Sequence, residues 1–550
     1  MDKGFSLKNA GLFLAKATLT LLLLYSCASA QQATKPGNVN DYIRTSWSTL
    51  TRSVSDCRSF HDAKVKTPSI LYVPKGMPTA ELAEQLAHCN VEVRPLPKVI
   101  HTIGDTDPRE IRTSGLLYLP HPYVVPGGMF NEMYGWDSYF IIRGLIADDS
   151  VNLARGIVEN FFYEIKNYGG VLNANRTYFL TRSQPPFLTS MIRAVYESGP
   201  HDRKWLLRAY GYAKRDHALW LRPEHRAGDT GLARYYDYGN GPVPEMAQDN
   251  SYYAKVAQFT LFHQQAAAYR SPARKTDDDQ TFYVRTCTAG DKAACAKPAR
   301  MRLGDDYYKG DRAMRESGFD TSFRFGPYGG RTQDFAPVDL NALLYKSERD
   351  LEWMANELGL KGEAKQWAAQ AAQRKQNIDK YLWNPAKGAY FDYDVVAHKQ
   401  SDYLFATTFY PLWTGVASRS QATAVEHMLG KLEKPGGIVT SDNVSGAQWD
   451  APYGWAPVQL LAVEGLNRYG FHVDALRIAK KFNSMVNENF QRDGTIREKY
   501  NVETRSDSVK VAVGYSQNNV GFGWTNGVYE VLRTLAGNHH QATKAGKLPQ

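Results

Sequence analysis

Beyond its N-terminal segment, the chain has no stretch approaching the ~20 apolar residues that a membrane-spanning helix requires. Basic blocks are also missing. Despite a net charge of +10, nothing longer than Lys480-Lys481 occurs, so a nucleic-acid partner is not supported. Cysteine is scarce, five in 550 residues, and neither a C-x-x-C pair nor clustered histidine accompanies it, which argues against zinc. There is no repeat of fixed period, which counts against an α-solenoid. Gly127-Gly128 lacks the lysine of a phosphate-binding loop, and no metal box or Ser/His/Asp arrangement is evident, so no cofactor is expected. What remains is an ordinary globular composition, 43% hydrophobic and 22% charged, which excludes wholesale disorder and coiled-coil character.

Residues 1–30 have the pattern of a secretory signal. Lys3, Lys8 and Lys16 precede a largely apolar run from Ala17 to Tyr25, and Ala28-Ser29-Ala30 supplies small residues for cleavage near Ala30. Leu24-Tyr25-Ser26-Cys27 loosely resembles a lipoprotein box, with Tyr25 a poor fit. The expectation is therefore a secreted or periplasmic protein. Four cysteines would remain after cleavage and allow three pairings. The short polar stretch between Cys287 and Cys295 favours a local bridge, leaving Cys57–Cys89. Residues 31–41 read as a flexible leader and 538–550 as a frayed tail, with one domain, 42–537, between them. The polar stretch from Ser271 to Arg302 reads as a surface excursion.

The strongest periodicity is helical. Ala364, Trp367, Ala368, Ala371, Ile378, Tyr381 and Leu382 form one stripe, ending before Asn384-Pro385. Ala475, Ile478, Ala479, Phe482, Met485 and Val486 form a second, and Leu340, Leu343, Leu344, Leu351, Met354 and Leu358 a third. Leu460 to Leu466 is mostly apolar, as in a helix buried on several sides. Strand signals are few, Ala389 to Tyr393 being one. An all-α fold, a toroid of paired helices, is the expected architecture.

Four stretches pack aromatic, polar and Gly/Pro residues together outside helical spacing: Pro126 to Tyr139, Asn173 to Pro186, Arg315 to Arg324, and Gln448 to Pro457. Sugar chemistry asks for this mixture. Apolar ring faces need aromatic platforms, while hydroxyls need carboxylates, amides and arginines in fixed geometry. Glycoside hydrolysis adds two carboxyl groups, one protonated at the leaving oxygen and one ionised.

The first and fourth stretches resemble the two signature motifs of trehalases, glycoside hydrolase family 37. Arg315 to Arg324 resembles the family's Glu-Ser-Gly-Trp-Asp-x-Ser-x-Arg segment, with Phe319 in place of Trp. Arg182-Ser183-Gln184-Pro185-Pro186, Pro337 to Asn341, Glu498-Lys499-Tyr500 and Gly521 to Gly527 follow in the family's order, so the resemblance spans about residues 110–530. It implies a single (α/α)6 barrel with long loops forming the cleft, an inverting mechanism, Asp320 as general acid and Glu498 as general base. Carried over by position, substrate contacts fall to Phe130, Trp136, Asp137, Asn173, Arg182, Ser183, Gln184, Pro244, Glu245 and Gly318. Gln448, Trp449 and Asp450 either line the site or brace its wall. A monomer acting on a disaccharide or other α-glucoside is expected.

Three departures stand against these matches. Met129 and Val243 occupy positions where trehalases carry Arg, and Val511 to Ser516 replaces a Gly-rich loop ending in Glu-Tyr. Each loss removes a charge-assisted hydrogen bond, and a polar sugar group left unpaired in a dry site costs about 1–3 kcal/mol. Arg176 and Arg234 are the candidates to compensate. The first reading is an exported hydrolase of α,α-trehalose. The alternatives are hydrolysis of another α-glucoside through a less polar leaving-group subsite, or a carbohydrate-binding relative without turnover.

Overall fold

A computed structural model describes residues 37–61, 69–246, 251–272, 274–285 and 298–544. The expected signal segment and the Cys287–Cys295 pair lie outside the described residues.

Six helices form a closed inner ring: α2 (Asp137–Ala147), α4 (Leu188–Ser198), α6 (Val338–Glu357), α8 (Tyr410–Thr414), α10 (Ala456–Arg468) and α12 (Gly523–Lys544). Each packs on the next, and α12 returns to pack along α2. Outside them lie α1 (Val39–Leu50), α3 (Val151–Asn167), α5 (Arg203–Leu219), α7 (Lys361–Tyr381), α9 (Arg419–His427) and α11 (His472–Asp493). This is the expected all-α toroid. The two layers differ in how their sequences encode helix. On α7 only Ala364, Ala371, Arg374 and Ile378 are buried, one stripe of an otherwise polar helix. On α10 ten residues from Ala456 to Leu466 are buried, because the helix is enclosed on nearly every side. Where α2 and α12 cross, a Cβ on Gly144 would lie 2.4 Å from the backbone of Gly527, so glycine at both positions permits the close approach.

α1 begins at Val39, within the segment expected as leader, and α12 continues through Lys544, into the expected tail. A parallel sheet, β1 (Ser69–Val73) flanked by β2 (Val91–Pro95) and β3 (Leu116–Leu117), sits beside the ring. Nearby, Cys57 and Cys89 are joined in a disulfide with Cα atoms 4.9 Å apart. The excursion forms an antiparallel sheet of β4 (Arg270–Ser271), β5 (Thr281–Val284) and β6 (Ala299–Leu303), packed with Tyr253 and Tyr307 around its own apolar cluster. Among the described residues, no helix is long and apolar enough to cross a membrane.

Candidate active site

The stretches singled out in the sequence converge at the N-terminal ends of the inner helices. Loops preceding α2, α4, α6, α10 and α12 line a cavity of roughly 370 Å³, formed by residues that include Trp136, Asp137, Gln184, Gly318, Asp320, Trp449, Glu498 and Trp524. Its aromatic wall is built by mutual contact. Trp449 stacks on Trp455 with centroids 4.0 Å apart, and Trp136 meets Trp524 edge-on at 5.6 Å. The Trp136 backbone N–H donates to Gln184 Oε1 at 2.9 Å, joining the first two stretches.

Asp320 follows a helix that spans Asp305–Glu316 and ends at Ser317. Gly318 adopts φ +75°, and a Cβ there would lie 2.8 Å from the Trp136 ring; glycine therefore lets the chain turn across the indole. The Asp320 side chain keeps 36% of its surface open, facing the cavity, yet enclosure by the cavity walls pushes its carboxyl up to about 6, against the pull of the Arg315 and Arg182 guanidiniums. Arg315 lies 3.6 Å from Asp320 and is shared with Asp311 at 3.2 Å. Arg324 does not reach the acid, being held between Asp339 and Asp392.

Glu498 is 2% exposed rather than a surface carboxylate. Its neighbour Arg497 turns away to Asp493 and Asp507. Glu498 precedes β8 (Lys499–Asn501), which pairs antiparallel with β7 (Tyr453–Trp455), so the carboxylate is anchored to the strand leading into α10. Its Oε1 accepts from the Tyr515 hydroxyl at 2.5 Å, and its Oε2 from Asn519 at 3.2 Å and Lys499 at 3.4 Å. Burial raises the carboxyl above its ordinary value, while Lys499, Tyr515 and Asn519 oppose that rise. Asp137, the first residue of α2, is pushed well above the carboxylate range by burial and then by the charges of Glu498 and Asp320.

The other candidate residues divide by position. Phe130, Trp136, Asp137, Gln184, Gly318 and Trp449 line the cavity. Arg182, Ser183, Asn173 and Asp450 lie behind the lining. Arg182 pairs with Glu245 and approaches Asp237 at 3.7 Å. Ser183 donates its N–H to Glu316 and its hydroxyl to Val171, while the Asn173 amide bonds to the Ser183 and Arg315 carbonyls. Asp450 accepts from Ser441 and Ser445. Pro244 opens a short turn, Pro244–Met246, that presents Glu245 to Arg182. Gln448 braces: its Nε2 donates to the Asp320 carbonyl at 2.5 Å, and its Oε1 accepts from Tyr515 N–H at 3.3 Å.

Neither compensating arginine lines the cavity. Arg176 is paired with Glu132, and Arg234 bonds to the Glu224 and Gln333 carbonyls. Val243 is buried in the apolar cluster around Tyr253, whereas Met129 is 43% exposed and lines the cavity. Gln517 and Asn519 also line it and had no signal of their own, because short polar loops carry no periodicity. Phe522 and Trp524 lay in a matched motif without being singled out.

Comparison with known proteins places these residues in context. The family model described as Trehalase matches residues 20–536. A "Probable trehalase" of Eremothecium gossypii is 35% identical over 88% of this chain and 70% of its own length. A "Cytosolic neutral trehalase" of Neurospora crassa is 35% identical over 84% of this chain and 67% of its own. The solved structure of neutral trehalase Nth1 from Saccharomyces cerevisiae superposes with a TM-score of 0.73 and 30% identity, covering 93% of this chain and 97% of that one. The expectation of a secreted or periplasmic protein is corrected by these relatives, several of which are named cytosolic. A few lysines, a short apolar run and Ala-Ser-Ala form a pattern of low information, which does not by itself establish export.

Proposed function

The chain belongs to the trehalase family and is a glycoside hydrolase; from that premise we propose that it cleaves α,α-trehalose to glucose with inversion, Asp320 acting as general acid and Glu498 as general base. The observation that carries the reading is that both carboxyl groups line one aromatic cavity and differ in their surroundings. Asp320 has its carboxyl raised to about 6 and faces the cavity, fit to hold a proton for the leaving oxygen. Burial raises the Glu498 carboxyl as well, but Lys499, Tyr515 and Asn519 oppose that rise by donating to its ionised form, which suits it to receive a proton from water. In the step so assigned, the water oxygen bonds to the anomeric carbon and gives its proton to Glu498. The glycosidic carbon–oxygen bond breaks, and the Asp320 proton goes to the departing oxygen. Asp137 and Gln184 are the candidates to hold sugar hydroxyls, with Trp136, Phe130 and Trp449 supplying apolar surface.

One observation favours a second reading, hydrolysis of another α-glucoside. Among the described residues no lysine or arginine lines the cavity, while Met129, Phe130, Tyr515 and Phe522 do. Proton NMR of the protein with trehalose, then with a panel of α-glucosides, separates the two. Equal α- and β-glucose at early times supports inverting trehalose hydrolysis. Inert trehalose with β-glucose released from another glucoside supports the second reading, and α-glucose alone refutes inversion.

A further inference from the structure

The loop that replaces the family's Gly-rich segment brings a phenol to the general base. Gly514 adopts φ +120°, and a Cβ there would lie 2.9 Å from the Gln448 side chain, so the loop passes flush against that amide. The next residue, Tyr515, enters the cavity wall. Its N–H is held by Gln448 at 3.3 Å, its ring covers Lys499 Nζ at 3.7 Å from the centroid, and its hydroxyl reaches Glu498 Oε1 at 2.5 Å. We propose that Tyr515 is the positioning residue of the general base, its hydroxyl holding Glu498 in one orientation and favouring its ionised form. This rests on the assignment of Glu498 as base.

The donor set supports this role. Each carboxylate oxygen offers two lone pairs. Asn519 and Lys499 both bond to Oε2, whereas Tyr515 is the one side-chain donor recorded on Oε1 among the described residues. The phenol therefore fixes rotation of the carboxylate and leaves a lone pair of Oε1 for water. Lys499 has no exposed side-chain surface and is packed over the Tyr515 ring, which sets the height of the phenol above the base. Tyr515 as a whole is 41% exposed, but its hydroxyl sits against Glu498, and loss of water there together with the Glu498 charge holds that hydroxyl above its ordinary value, so it stays a donor. Through Gln448, the same residue is tied to the carbonyl of Asp320.

Tyr515→Phe tests the proposal in the full chain, with kcat and KM measured across pH on the α-glucoside turned over best. The ring and its contact with Lys499 are retained. A hydrogen bond to a charged group is lost, so kcat is expected to fall about 10- to 100-fold with KM within about two-fold. The acidic limb of the pH profile should move up by about one unit. Ser516→Ala is the control, since among the described residues that hydroxyl bonds only to the Val511 backbone, and it should leave the limb in place. An unchanged limb and kcat in Tyr515→Phe, or an equal shift in Ser516→Ala, overturns the proposal. Glu498→Gln separates this from failure of the base assignment: retained turnover there removes the premise, whereas inactivity with a silent Tyr515→Phe removes only the positioning role.

Discussion

The two sides of the cavity reach their carboxyl groups by opposite means. Around Asp320 the wall is a buried charge network: Arg182 with Glu245 and Asp237, and Arg315 with Asp311. Around Glu498 it is a hydroxyl, an amide and one lysine stacked beneath a phenol. Full charges act over distance and set how readily a proton is kept; short hydrogen bonds act at contact and set where the oxygen points. The arginines on the acid side oppose the proton, which Asp320 keeps because its enclosure outweighs them, whereas a base that must aim at a water needs short bonds at contact. The two walls divide the work accordingly.

The harshest way to break the comparison is Asp320→Asn. It leaves the charge network in place but removes the proton donor, and turnover should fall roughly 10²- to 10⁴-fold with the melting temperature nearly unchanged. Steady-state kinetics beside thermal unfolding checks this. A pH profile sharpens it further. Asp320 works only when protonated, so kcat/KM should fall about ten-fold per unit as pH rises above about 6. Arg315→Gln should move that alkaline limb upward, because the guanidinium holds the carboxyl down, and should leave the acidic limb in place. The smallest effect belongs to the link between the walls. Gln448→Leu breaks both of its bonds, to the Asp320 carbonyl and to Tyr515 N–H, while keeping side-chain volume. A loss of roughly 10-fold in kcat, within the range of a modest misplacement of a reacting group, is expected from single-turnover measurement.

The helices of the outer layer were plain in the sequence because one face meets water and the other does not; the stripe from Ala364 to Leu382 maps onto α7. The inner ring was harder to read. The stripe from Leu340 to Leu358 falls on α6 of this ring, but α10 is buried nearly all round, so Leu460 to Leu466 marked a buried helix without saying which elements enclose it. Asp320 and Glu498 were named through the resemblance to trehalases, since carboxylates beside arginine or lysine look like surface ion pairs until burial is known. Tyr515 was legible only as a departure. Its bond to Glu498 joins two loop positions whose proximity no periodicity announces. The N-terminal segment shows the reverse error, a local pattern that was easy to read but is contradicted by the names of the relatives that match most of the chain.

The ring that carries these loops is closed by α12 lying along α2, with Gly144 against Gly527 at the seam. Synthesis proceeds from the N-terminus, so α2 is made long before its partner. Until α12 emerges from the ribosome, the inner face of α2, with Phe140, Ile141 and Leu145, has no cover on that side. The base-bearing strand keeps its pairing with β7 but lacks the Trp524 indole N–H, which donates to the Glu498 carbonyl at 3.2 Å. Catalytic competence in this architecture thus waits on α12, and a chain halted before it would be an open crescent with an uncovered apolar face rather than a slower enzyme.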